Sequence, residues 1–133
     1  MQHKTPPSIV ELRRILLEGP CADIPVGTTY PASTALPYVR IQRIGGRPEN
    51  AVTDAPRFII HVYADDGIVA EALALDILDW LDTGVWRSTR AASGHYRRGW
   101  RHETVMPLSD PDRPSLHRWQ IHGALRLSRL TPA

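Results

Sequence analysis

The chain has 133 residues, 42% of them apolar, and its 16 Lys and Arg against 14 Asp and Glu give a formal charge of +2. That length fits one domain, residues 1–133, able to bury about two thirds of the surface its unfolded chain exposes, and so small a net charge does not mark a nucleic-acid binder. The single cysteine, Cys21, excludes an intrachain disulfide and a cysteine-based zinc site.

Residues 1–7 contain Pro6 and Pro7 and lack the apolar core of a signal peptide, so they read as a flexible N-terminus. Ser8 and Glu11 form a capping box, in which each side chain satisfies the other residue's free amide. The helix that follows runs to about Glu18 and stops at Gly19-Pro20. Ile9, Val10, Leu12, Ile15, Leu16 and Leu17 give it a broad apolar face, with Arg13 and Arg14 in water. Residues 23–30, with Pro25 and Gly27, predict a short edge strand, since proline cannot donate to a ladder. Residues 38–44 predict a firmer strand, with Val39 and Ile41 on one face and Tyr38, Arg40 and Gln42 on the other. Gly45-Gly46 ends it, and 47–56 is a polar loop. Residues 57–64 carry the strongest strand signal and are partly apolar on both faces, which places them at the centre of a sheet.

Asp65-Asp66-Gly67 turns the chain into the main helix, 68–82. At about 100° per residue, Ala70, Leu73, Ala74, Ile77, Leu78, Trp80 and Leu81 share one face; Glu71, Asp79 and Asp82 lie opposite, with Asp76 further round. Ile68 and Leu75 fall within the acidic stripe, either as isolated surface apolar residues or as a partner surface. A long arginine-rich loop is expected over 83–101. Residues 102–108 then predict a strand, 109–114 a turn, and 116–127 a strand with Trp119, Ile121, Leu125 and Leu127 on its apolar side. The two strands form an antiparallel hairpin, and Gly123 marks a bulge or close packing. The order predicts an α+β fold, a mainly antiparallel sheet of four to five strands with two helices packed on one face.

Candidates for chemistry are few. His117 and His122 are five apart on a strand and face opposite sides, His95 and His102 sit among arginines that repel a cation, and His61 alternates with apolar residues as a hydrogen-bonded sheet histidine does. Cys21 has no histidine aimed at it, no nucleophile elbow is present, and Gly45-Gly46 lacks the helix and the Lys-Ser/Thr of a phosphate loop. Asp76, Asp79 and Asp82 have the spacing of a solvated helix face. The expectation is a protein that is no enzyme and holds no metal or cofactor. The longest apolar-rich run, 68–81, is too short and too charged to span a bilayer, so a soluble protein or part of a soluble assembly is expected, with no membrane partner.

Most telling is a charge reversal. Asp65, Asp66, Glu71, Asp76, Asp79 and Asp82 crowd 65–82 without a Lys or Arg, and Arg87, Arg90, Arg97, Arg98 and Arg101 fill 83–101 without an acid. Trp86, Tyr96 and Trp100 are interleaved with those arginines. Arginine with aromatics suits phosphate contact plus base stacking, and the same types are enriched at protein interfaces; a plain surface loop is the third reading.

The capped N-terminal helix, LPYVRIQRIGG, the polar loop, PRFIIHVYADD, the helix ending LDILDWL and the final SLHRWQIHGALRLS strand together resemble the tail terminator (tail completion) proteins of long-tailed bacteriophages over most of the chain. The resemblance implies a structural virion protein, located at the head-tail junction and assembled in the host cytoplasm. It implies a homohexameric ring that caps the finished tail tube, ends tube polymerisation and joins the tail to the head connector. The implied partners are further copies of the chain, the tail tube protein and the head-tail connector protein, with DNA passing through the ring without sequence-specific binding. A ring needs a heterologous contact, in which one surface of a subunit meets a different surface of its neighbour. The expected contact sets Leu75, Asp76, Asp79 and Asp82 of one copy against Trp86, Arg87, Arg90, Arg97, Arg98, Trp100 and Arg101 of the next. The charges would supply register, and Leu75, Trp86 and Trp100 the affinity. The alternative is a small nucleic-acid-binding accessory protein that uses the 83–101 loop.

Overall fold

The structure is a computed structural model and describes residues 2–30, 36–88, 91, 93–109 and 111–131. In chain order its elements are β1 (Gln2–His3), α1 (Ser8–Leu17), β2 (Val26–Gly27), β3 (Tyr38–Gly46), β4 (Thr53–Asp54), β5 (Pro56–Ala64), α2 (Gly67–Thr83), a 3₁₀ turn (Val85–Ser88), β6 (Arg97–Pro107), β7 (His117–Ser128) and β8 (Leu130–Thr131). The fold class is α+β, and the main sheet has six strands rather than four to five.

The strand with the strongest apolar signal takes the centre. β5 lies between β3 and β7, antiparallel to both, and β7 pairs along its other edge with β6. β2 adds a short parallel pairing to β3, and β4 pairs with Leu127 and Ser128 of β7, beyond Ala124, which lies opposite Arg57 near the start of β5. Register aligns Val39 with Val62 and Ile41 with Ile60, and Ile60 in turn with Ile121, so one sheet face is continuously apolar. Leu12, Ile15 and Leu16 of α1 and Leu73, Ala74, Ile77 and Leu81 of α2 close over that face in a single core. Burial of this kind stabilises by roughly 25 cal/mol per Å² of apolar surface removed from water. Trp80 joins the two helices, its Nε1–H donating to the Ile15 carbonyl at 2.8 Å.

α2 starts and stops where its end residues dictate. The Asp66 carboxylate accepts from the Ile68 and Val69 amides at 2.7 and 3.3 Å, and Gly84 ends the helix in the left-handed conformation at φ 64°. Gly123 reflects close packing: a Cβ there would overlap the Trp100 ring and lie 2.7 Å from the Arg101 carbonyl oxygen.

Four expectations are corrected. Ser8 and Glu11 make no capping box: Pro7 is the N-cap, the Ser8 hydroxyl accepts from Arg43 Nη1 at 3.0 Å, and Glu11 is buried facing Arg97 at 3.6 Å. The buried Arg97 guanidinium needs countercharge, and Glu11 supplies it instead of reaching back to the helix end. The stretch 1–7 is tied down, because β1 pairs with β8 in a second, two-stranded sheet and His95 Nε2 bonds the Lys4 carbonyl at 2.8 Å. The polar loop 47–56 includes β4, where the Asn50 side chain accepts from the Val52 and Thr53 amides just before the strand. The stretch 83–101 is no continuous loop, since it opens with the 3₁₀ turn and ends inside β6. No helix among the described residues is long and apolar enough to cross a membrane.

Candidate assembly interface

The outer face of α2 is left unpartnered among the described residues. Ile68, Ala72, Leu75, Asp79 and Asp82 recur at helical spacing on the side away from the buried residues, with Asp76 beside them. Ile68 is 82% exposed and Leu75 40%. The first half of this stripe is therefore apolar and the second half acidic. None of Glu71, Asp76, Asp79 and Asp82 has an ion-pair partner among the described residues.

The seven residues expected opposite that stripe do not form one surface. Trp86 is 2% exposed and belongs to the core, where its Nε1–H donates to the carbonyls of Trp80 and Leu81 at 3.1 and 3.3 Å. Arg97 is also buried. Its Nη1 and Nη2 donate to the two Glu18 carboxylate oxygens at 2.7 and 3.0 Å, locking β6 to the end of α1. Arg101 is paired with Glu49, which also takes Arg126 Nε at 2.8 Å. Trp100 is half-buried across Gly123. Arg87 folds back on its own turn, Nε to the Gly84 carbonyl at 3.2 Å. Arg98 is exposed, and Arg90 lies outside the described residues. Trp86 and Arg97 are thus unavailable to a partner, because a tryptophan and a doubly paired arginine are worth more inside this small core than at its rim.

The sheet face turned away from the helices is polar and was not singled out from sequence. His61 Nε2 bonds Gln42 Oε1 at 2.8 Å, Gln120 Nε2 lies 3.4 Å from His61 Nδ1, and His122 Nε2 bonds Gln120 Oε1 at 3.1 Å, a ladder across three strands. Burial, with Arg40, Arg118 and His122 nearby, pushes the His61 pKa down to about 3, so the ring is neutral. Arg57 and Glu103 form a bidentate pair at 2.9 and 2.8 Å. Hydrogen bonding and charge from Arg126, with Arg101 adding to both, hold the Glu49 carboxyl below its usual range. Toward the hairpin turn, Arg40 and Arg113 both lie over the Tyr30 ring, at 4.4 and 5.6 Å from its centre. The signal for this face was the alternation of Arg40, Gln42, His61, Gln120 and His122 with core residues.

Burial pushes the Cys21 thiol up to about 12, which leaves it protonated and inert. Among the described residues no cluster of three or more His, Cys, Asp or Glu could hold a metal ion.

No family model matches the chain, and no curated protein does. Among solved structures, a chain from the virion of native gene transfer agent (GTA) particle superposes with a TM-score of 0.61 at 16% identity, over 90% of this chain and 91% of that one. What the two share is the fold, along nearly the whole of each.

Proposed function

We propose that this chain is a structural virion protein, a tail terminator that assembles as a ring, in the hexameric form of the proteins it resembles, on the end of a phage tail tube. In this role it ends tube polymerisation, offers the head connector a docking surface, and lets DNA pass through the ring. The observation that carries the reading is the fold shared with a chain of a virion particle over nine tenths of both. The unpaired acidic and apolar outer face of α2 supports it, since a ring subunit must present surface to its neighbours. Such a role requires no active site. On this reading Leu75, Asp76, Asp79 and Asp82 form one side of the subunit contact, and Arg87, Arg98 and Arg101 remain accessible for the tube, the connector or a neighbouring copy.

The nucleic-acid alternative is weakened by the placement of Trp86 and Arg97, because a base cannot stack on a buried indole nor a phosphate reach a buried guanidinium.

The test is to add the chain to tail tube protein during polymerisation and image the products by electron microscopy. Rings at tube ends and an early stop to elongation are expected. Tubes of unchanged length with bare ends would overturn the role.

A further inference from the structure

Among the described residues the acids of α2 make no ion pair, and an arginine-rich surface lies on the far side of the sheet. Arg40, Tyr63 and Arg118 alternate with the core-facing Val39, Val62 and Trp119, so they occupy the face away from the helices. There Arg118 joins Tyr30, Asp112 and Arg113 in lining a cleft of about 400 Å³. No ion pair neutralises Arg40, Arg113 or Arg118 among the described residues. Arg40 Nε is taken by the Tyr63 hydroxyl at 3.1 Å, and Arg118 Nε is buried without a hydrogen-bond partner. A guanidinium stacked over a tyrosine ring keeps its charge and its in-plane donors, which is the geometry that receives a carboxylate.

The two charged surfaces cannot meet within one molecule. A helix layer and a sheet layer, each on the order of 10 Å thick, stand between them. Two molecules placed head to tail bring them together. The loop arginines do not serve as well. Arg87 packs against Gly84 and Gly99 at the C-terminal end of α2, beside the acids it would have to meet on another copy.

We propose that the outer face of α2, carrying Ile68, Leu75, Asp76 and Asp79, docks on the Tyr30–Arg113–Arg118 cleft of a second copy of this chain. The exposed Tyr30 ring receives the apolar half of the stripe, and Arg113 and Arg118 receive the carboxylates. The contact is heterologous, and it rests on the ring reading above only for its closure into a cycle.

Mixed charge reversals test it, with the mass in solution read by sedimentation. Asp79→Arg and Arg113→Asp each change an exposed side chain, and unchanged thermal unfolding of each variant shows that the fold is kept. Each variant alone is expected to weaken association roughly tenfold or more. The two variants mixed in equal amounts should recover wild-type assembly, because a ring in which they alternate restores an opposite-charge pair at every contact. The double variant in one chain should recover it too. Leu75→Glu should weaken association and gain nothing from Arg113→Asp.

Wild-type assembly with neither reversal having an effect would overturn the pairing and leave the tail role standing. An effect of Asp79→Arg without one of Arg113→Asp would overturn it as well. So would a wild-type chain that stays monomeric at 100-micromolar concentrations, on the order of the weakest functional assemblies, whether or not that chain caps tubes. If Arg113→Asp instead abolishes salt-sensitive binding to duplex DNA and spares self-association, the cleft is a phosphate site and the proposal fails.

Discussion

Single residues in this protein are decided by what surrounds them rather than by their type. His61 shows this for titration. Its folded-state pKa, about 3, lies below the ordinary value of 6.5, so the folded state refuses a proton that the unfolded chain accepts between those limits. Stability is therefore full above pH 6.5 and falls as the pH drops from 6.5 toward 3, by up to about 1.4 kcal/mol per pH unit. Urea unfolding at pH 7.5 and pH 5.0 should show a loss of about 2 kcal/mol that His61→Gln largely removes; equal losses in both proteins would refute the assignment. Arg97 shows the same for ion pairing. Arg97→Met strands Glu11 in the core without its cation and is expected to cost about 3–5 kcal/mol in denaturant unfolding. Adding Glu11→Leu should return much of that loss, since a buried pair replaced by apolar side chains is close to neutral.

At the scale of elements, legibility followed periodicity. α2 was readable to within a residue or two because its apolar spacing and its Asp66 start agree. Replacing Asp66 with Ala should therefore cost about 1 kcal/mol in thermal or urea unfolding, the usual worth of an N-cap. β5 and β7 were equally plain, since their alternation is unbroken over the residues that pair. The first half of β6 was not, and the cause is physical: irregularities between Arg97 and Gly99 and between His102 and Glu103-Thr104 shift the register twice. Each inserts a residue, so the period of two that marks a strand is lost and arginines with glycines read as loop. The same break hid the inward turn of Arg97. β1, β2, β4 and β8 are two residues each, too short to carry any period. The polar sheet face could be read as a face, but the stacking of Arg40 and Arg113 on Tyr30 brings together residues distant in the chain, which no local pattern encodes.

The whole molecule is a two-layer slab with different chemistry outside each layer, acid and apolar beyond the helices, arginine and tyrosine beyond the sheet. On the proposed pairing that polarity favours head-to-tail contact over face-to-face pairing of like surfaces, and with it cyclic or open assemblies over two-fold dimers. The small ribbon of β1 and β8 sets a further geometric condition. Gln2 lies opposite Thr131 and His3 opposite Leu130, so the chain enters and leaves the fold at one point. Labels at Gln2 and at Thr131 would report the same position, and in a ring of such chains they would sit on a single circle at a single height.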